Sequence, residues 1–113
     1  MVDVRFVPER GDIVWLNFNP HSGHEQAGKR PAIVLSPKKY NEKTGLDLFC
    51  PITSQIKGYP FEVKLPEKCE IQGVVISDQI KSLDWKSINI EFITKAPAVV
   101  LKEVLSKLSL LIT

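Results

Sequence analysis

A chain of 113 residues with 43% hydrophobic and 25% charged side chains holds enough apolar material for one core, and too balanced a mixture for disorder or for a membrane-spanning segment. Its 15 Lys+Arg against 13 Asp+Glu leave a formal net charge of +2, which permits a polyanionic partner without demanding one. Residues 1–113 therefore read as a single domain.

The first predicted element is a strand over residues 12–18 (DIVWLNF), with Ile13 and Trp15 on one face and Val14, Leu16 and Phe18 on the other, the pattern of a strand covered on both sides. Burial is the expectation for Trp15 and Phe18. A polar loop runs from residue 20 to residue 30, and a second strand occupies residues 32–35. A short helical or turn segment follows over 37–43 and is closed by Gly45. Residues 46–52 form a third strand. A turn at 57–60 leads to a half-exposed fourth, where Phe61, Val63 and Leu65 alternate with Glu62 and Lys64. Residues 73–76 and 87–94 complete the strands, with a polar segment over 77–85 between them.

After Pro97 the period changes. Val100, Leu101, Val104, Leu105, Leu108, Leu111 and Ile112 recur at steps of three and four, which is an amphipathic helix. Leu110 lies off that stripe and is a candidate for contact with a second subunit. Short strands at this spacing followed by one helix predict an α+β fold built as a small barrel. The chain opens without a charged segment leading into an apolar one, and Lys102, Glu103 and Lys107 interrupt the C-terminal apolar stretch. A cytoplasmic protein with no membrane association is expected.

Chemistry concentrates in the loop that precedes the second strand. Glu25 is a carboxylate able to take a proton from an attacking hydroxyl, and Arg30 offers planar donors to phosphate oxygens. A surface salt bridge is the commoner fate of such a pair, and on the residues alone it is the preferred reading. Gly23 and Gly28 read as turn residues with positive φ. His24 is as well suited to proton transfer or base stacking as to an idle surface position. Thr53 is either a phosphate donor at a strand end or a β-branched packing residue.

Metal binding is disfavoured. His21 and His24 lack a carboxylate or thiolate set around them, and Cys50 and Cys69 form no CxxC motif, so both cysteines are expected to be reduced structural thiols. Trp15, Tyr40, Tyr59 and Trp85 are the aromatic side chains that would stack on unpaired bases if exposed.

Four motifs decide among these readings. GDIVWLNFNP at 11–20, GHEQAGKRPAIVLSP at 23–37, PITSQIKGYPFEV at 51–63 and GVVISDQIKSLDW at 73–85, in this order, make the sequence resemble the MazF/PemK (Kid) family of toxin endoribonucleases. The resemblance covers nearly the whole chain. It implies an SH3-like β-barrel with a C-terminal helix, a homodimer, and cofactor- and metal-independent, ribosome-independent cleavage of single-stranded RNA at short sequences. The products it implies are a 2′,3′-cyclic phosphate and a 5′-hydroxyl. It also implies a MazE-like antitoxin partner whose acidic tail covers the RNA groove.

Carried over by position, the resemblance makes Glu25, Arg30 and Thr53 the catalytic residues, with Arg30 also a candidate for proton delivery to the leaving oxygen. It makes Asn17, His24, Lys29, Lys57, Asp78 and Gln79 the RNA-binding set. Ile76 stands where some relatives carry an arginine, and residues 86–91 (KSINIE) replace an arginine-rich stretch, so the cleavage sequence does not transfer. Two other readings compete: a CcdB-like topoisomerase poison, whose aromatic-glycine ending this chain lacks, and an SH3-like binding module without enzymatic activity.

Overall fold

The computed structural model describes residues 6–18 and 28–113. In chain order the elements are β1 (Asp12–Phe18), β2 (Gly28–Val34), α1 (Lys38–Thr44), β3 (Leu46–Thr53), β4 (Glu62–Lys64), β5 (Val74–Ile76), β6 (Lys81–Asp84), β7 (Asn89–Lys95) and α2 (Ala98–Ile112). Every strand pairing among them is antiparallel, in the order β4-β5-β3-β2-β1-β7, with β6 pairing separately on β3. The sheet curls as a barrel without its two outer strands joining. A bulge in β7 helps it to curl, since Ile13 pairs with Thr94 but Val14 pairs with Phe92, and such an insertion bends the strand that carries it.

Both faces of β1 are covered, as its uninterrupted apolar run predicts. Ile13, Ile33, Cys50, Val63 and Val75 pack with Val100, Val104 and Leu108 of α2 on one side. Val14, Leu16, Ala32, Val34, Phe49 and Trp85 fill the other. The apolar stripe of α2 is buried only through its first three turns. Leu111 and Ile112, expected on the buried side, are exposed alongside Leu110, because the last turn finds no strand to pack against among the described residues. No helix among them is long and apolar enough to cross a membrane.

Two elements differ from expectation. β2 begins at Gly28 rather than at residue 32, so Lys29 and Arg30 belong to the strand and not to the preceding loop: the ladder with β1 runs on through Leu16↔Arg30 and Asn17↔Lys29 to Phe18↔Gly28. The polar segment expected over 77–85 contains β6. Its side chains are mostly exposed and carry no burial pattern, and the strand exists because Leu46 to Phe49 of β3 supply a free ladder edge.

A polar hub fixes α1 to the sheet. Buried Asn41 donates from Nδ2 to the carbonyls of Pro8 (2.8 Å) and Ser36 (3.0 Å) and accepts from the Ser36 hydroxyl. Its own carbonyl accepts from Trp85 Nε1 (2.9 Å). That indole is thereby held in the core with its N–H already engaged. Gly45 ends α1 in the left-handed region, φ 76°, as the turn there requires.

Asp47 of β3 is fully buried, and neither carboxylate oxygen has a hydrogen-bond partner among the described residues. Burial pushes its pKa up to about 8. Between roughly pH 4, where a free aspartate titrates, and pH 8, the folded state keeps a proton that the unfolded chain has released, so this group's contribution to stability falls as pH rises through that window. Asp47→Asn should therefore be more stable than the parent by a margin that widens from pH 4 to pH 8, reaching on the order of a few kcal/mol. Parallel melting curves for the two proteins across that range would refute this.

Candidate active site

β2 and β3 carry two of the three predicted catalytic residues, Arg30 and Thr53, to one end of the sheet. Their register pairs Ala32 with Pro51, and two residues further out along each antiparallel strand stand Arg30 and Thr53, which continuation of the register sets level with each other. Side chains alternate along a strand, so both project from the same face as Ala32 and Pro51. Thr53 ends β3 and Arg30 stands two residues inside the start of β2, so each is carried by a strand whose inner residues are core.

A groove of about 930 Å³ opens at this end of the sheet, and Lys29, Arg30, Thr53, Lys57 and Gln79 all line it. Those are five of the nine predicted site residues. Glu25 and His24 lie outside the described residues. Asn17 and Asp78 do not line the groove. Asn17 is half-buried on β1 between Lys29 and Asn89, while Asp78 accepts a hydrogen bond from the hydroxyl of Tyr59, which does line it.

The polar contacts show what is already engaged. Lys29 Nζ lies 3.0 Å from Glu91 Oε1 in a pair with both side chains half-exposed, a contact worth roughly 0–1 kcal/mol that a phosphate could displace. Thr53 Oγ1 accepts from the backbone N–H of Gln55 at 3.1 Å. That contact orients the hydroxyl through one lone pair and leaves its hydrogen to donate into the groove. Gly73, at φ 123°, approaches the Thr53 carbonyl so closely that a Cβ there would sit 2.2 Å from the oxygen. Thr53 is thus held from below by bare backbone.

One perturbed group lines the groove and a second lies in the core. The hydrogen bond to Asp78 raises the Tyr59 phenol above its ordinary range, so the ring remains a neutral donor at neutral pH. Burial, reinforced by the charge of Asp78, pushes the Cys50 thiol up to about 12. With Sγ 3.6 Å from the Ser77 carbonyl, Cys50 is an inert core residue, as its separation from any ligand cluster implied.

The model of the PemK-like, MazF-like toxins of type II toxin–antitoxin systems matches residues 9–112. The chain belongs to that family. It is 54% identical over 83 residues to the endoribonuclease toxin MazF of Escherichia coli strain K12, covering 74% of each chain. The crystal structure of MazF from Deinococcus radiodurans superposes with a TM-score of 0.84 at 55% identity, over 96% of this chain and 98% of that one. A MazE-MazF crystal structure from the same organism gives 0.86 at 50% identity, over 96% and 97%. The barrel-like fold with a C-terminal helix is thus the fold of the family.

Several groove residues are absent from the predicted set. Trp15 is only partly buried and lines the groove, although the alternation of β1 marked it for the core. Its strand leaves the covered part of the sheet at that point, next to Pro31. Tyr59, Gln55 and Gln72 also line it. Tyr59 was legible as a stacking candidate if exposed, and it is 44% exposed. The glutamines carried no signal, because a lone amide in a loop looks the same whether or not the loop borders a cleft.

Proposed function

We propose that this chain is the toxin of a type II toxin–antitoxin pair and a sequence-specific endoribonuclease that cleaves single-stranded RNA without a metal or a ribosome. The observation that carries the proposal is the convergence of Arg30 and Thr53, from the ends of adjacent strands, on one groove that also bears Lys29 and Lys57. Two ammonium groups and a guanidinium suit a phosphodiester backbone, and an open groove suits an unpaired strand.

In the proposed reaction the ribose 2′-oxygen attacks the neighbouring phosphorus, its proton passing to the Glu25 carboxylate. Arg30 and the Thr53 hydroxyl donate to the equatorial oxygens as negative charge builds there. The bond to the 5′-oxygen then breaks and that oxygen takes up a proton, leaving a 2′,3′-cyclic phosphate and a 5′-hydroxyl. The attacking group is supplied by the substrate, so the protein has only to move protons and hold charge. His24, Gln79 and Asn17 are further RNA contacts in this reading, and Asp78 acts through Tyr59.

The assembly proposed is a homodimer in the cytoplasm. Val99, Leu110 and Ile112, each more than two-thirds exposed on α2, are apolar surface of the kind that a subunit contact covers. A MazE-like antitoxin is the proposed inhibitor, its acidic side chains competing with phosphates for Arg30 and Lys57. Incubation with a long unstructured RNA in EDTA, followed by mapping of both fragment ends, tests the reaction. Recurrent cuts at one short sequence with 5′-hydroxyl and cyclic-phosphate ends are expected. Fragments with 5′-phosphates, or intact RNA, would overturn it.

A further inference from the structure

The connection from β3 to β4, residues 54–61, pairs with no strand among the described residues, yet polar contacts pin it from three directions. The Glu62 carboxylate accepts from the backbone N–H groups of Lys57 (2.9 Å) and Gly58 (3.1 Å). Lys107, reaching from α2, donates to the carbonyls of Pro60 (2.6 Å) and Glu62 (3.1 Å). Asp78, just beyond β5, accepts from the hydroxyl of Tyr59.

Ordering an exposed loop is entropically unfavourable, so three independent restraints on so short a segment imply that something on it must be held still. Tyr59 is the side chain they converge on. Its ring is backed by Phe61, with centroids 6.2 Å apart, and its polar edge is tied to Asp78. It stands in the wall of the groove that holds Arg30 and Thr53, with 44% of its surface open. The hydroxyl contact fixes the axis of the ring, and the packing on Phe61 restricts rotation about that axis. A rigid aromatic face beside a cationic groove is what a splayed, unpaired base stacks on.

We propose that Tyr59 is the stacking platform for an unpaired base of the RNA beside the scissile phosphate, and that Asp78 is the positioning residue that holds its ring. This rests on the endoribonuclease reading of the groove. Stacking is tolerant of base identity, so the platform secures affinity and alignment at one nucleotide while leaving the choice of sequence to other groups.

The test compares Tyr59→Ala, Tyr59→Leu, Tyr59→Phe, Asp78→Ala and Asp78→Asn with the parent in KM and kcat on the unstructured RNA. It also measures the Kd of an oligonucleotide carrying the mapped cut sequence, with 2′-deoxyribose at the attacking position and 2-aminopurine placed in turn at each nucleotide flanking the cut. Tyr59→Ala and Tyr59→Leu should raise KM and Kd by roughly 5- to 150-fold and restore the fluorescence of one 2-aminopurine that the parent quenches, with kcat less affected. Leucine keeps the packing on Phe61 without a π-face, so its failure to rescue separates stacking from fold.

Tyr59→Phe and Asp78→Ala, which keep the ring but free it, should lie between these and the parent, and Asp78→Asn, which still accepts from the phenol, should be near the parent. Parental KM and quenching in Tyr59→Ala would overturn the platform. So would a Tyr59→Phe as impaired as Tyr59→Ala, or weakened antitoxin binding with RNA binding intact. A parent protein that neither binds nor cuts the RNA would instead bring down the endoribonuclease reading, and this inference with it.

Discussion

Arg30→Ala is expected to lower the rate of RNA cleavage in EDTA by at least 10²- to 10³-fold while leaving a folded protein. The argument is positional. Arg30 is exposed at the open end of β2, outside both buried clusters, so its loss removes no core volume. Its donors are planar and permanently charged, and strand register sets it level with Thr53 on the wall of the same groove. A lysine cannot reproduce a two-pronged contact to phosphate, so Arg30→Lys should recover only part of the loss. Initial rates with a thermal melt of each variant decide the matter. A folded Arg30→Ala protein that cuts at the parental rate would remove Arg30 from the mechanism.

Gly73→Ala should damage stability and activity together. The added Cβ would meet the Thr53 carbonyl oxygen at 2.2 Å, its carbon at 2.8 Å and the Ser54 Cα at 3.2 Å, all backbone atoms that no rotamer change can move aside. The φ of 123° is itself unfavourable for any side chain. Overpacking and backbone strain each cost about 1–3 kcal/mol, so about 2–6 kcal/mol is expected, against a total of about 5–15 kcal/mol for a typical domain.

Relief comes only if the end of β3 moves away from β5, where Thr53 pairs with Val74. The melting temperature should fall by about 10 °C or more, and whatever remains folded should cut slowly because Thr53 has shifted. Gly28 provides the comparison. It has a nearly equal φ of 121° and nothing among the described residues within 4 Å of the added Cβ, so Gly28→Ala should show the strain without the clash. Equal melting points for Gly73→Ala and Gly28→Ala would refute the close-approach argument.

The two glycines illustrate a general difference between what a linear pattern can and cannot carry. Gly28 was readable as a positive-φ residue from its place at the edge of a polar loop. Nothing adjacent to Gly73 in the chain announces that Thr53, twenty positions earlier, lies against it. Trp15 makes the same point from the other side: alternation along β1 assigned its face correctly, but that face is core only where another element covers it, and near Pro31 it borders the groove.

Lys29 and Asp78 were both marked for RNA from the sequence. The fold pairs the first with Glu91, across an intervening strand, and turns the second onto Tyr59. A charged residue's role depends on which opposite or polar group the fold brings within about 4 Å, and that neighbour is set by strand order, not by distance along the chain.

What the amino-acid order determined unaided was whatever depends on near neighbours: the doubly covered run of β1, the helical or turn segment closed by Gly45, the amphipathic period of α2, and the four motifs that mark the family. Burial periodicity and turn chemistry are local, so they survive without coordinates. The tertiary structure alone decided the ladder that extends β2 to Gly28 and recruits β6, the burial of Asp47, the seat of Thr53 on Gly73, and the pinned ring of Tyr59. Each of these is a contact between segments far apart in the chain, where the partner's identity is fixed by sheet register and curvature.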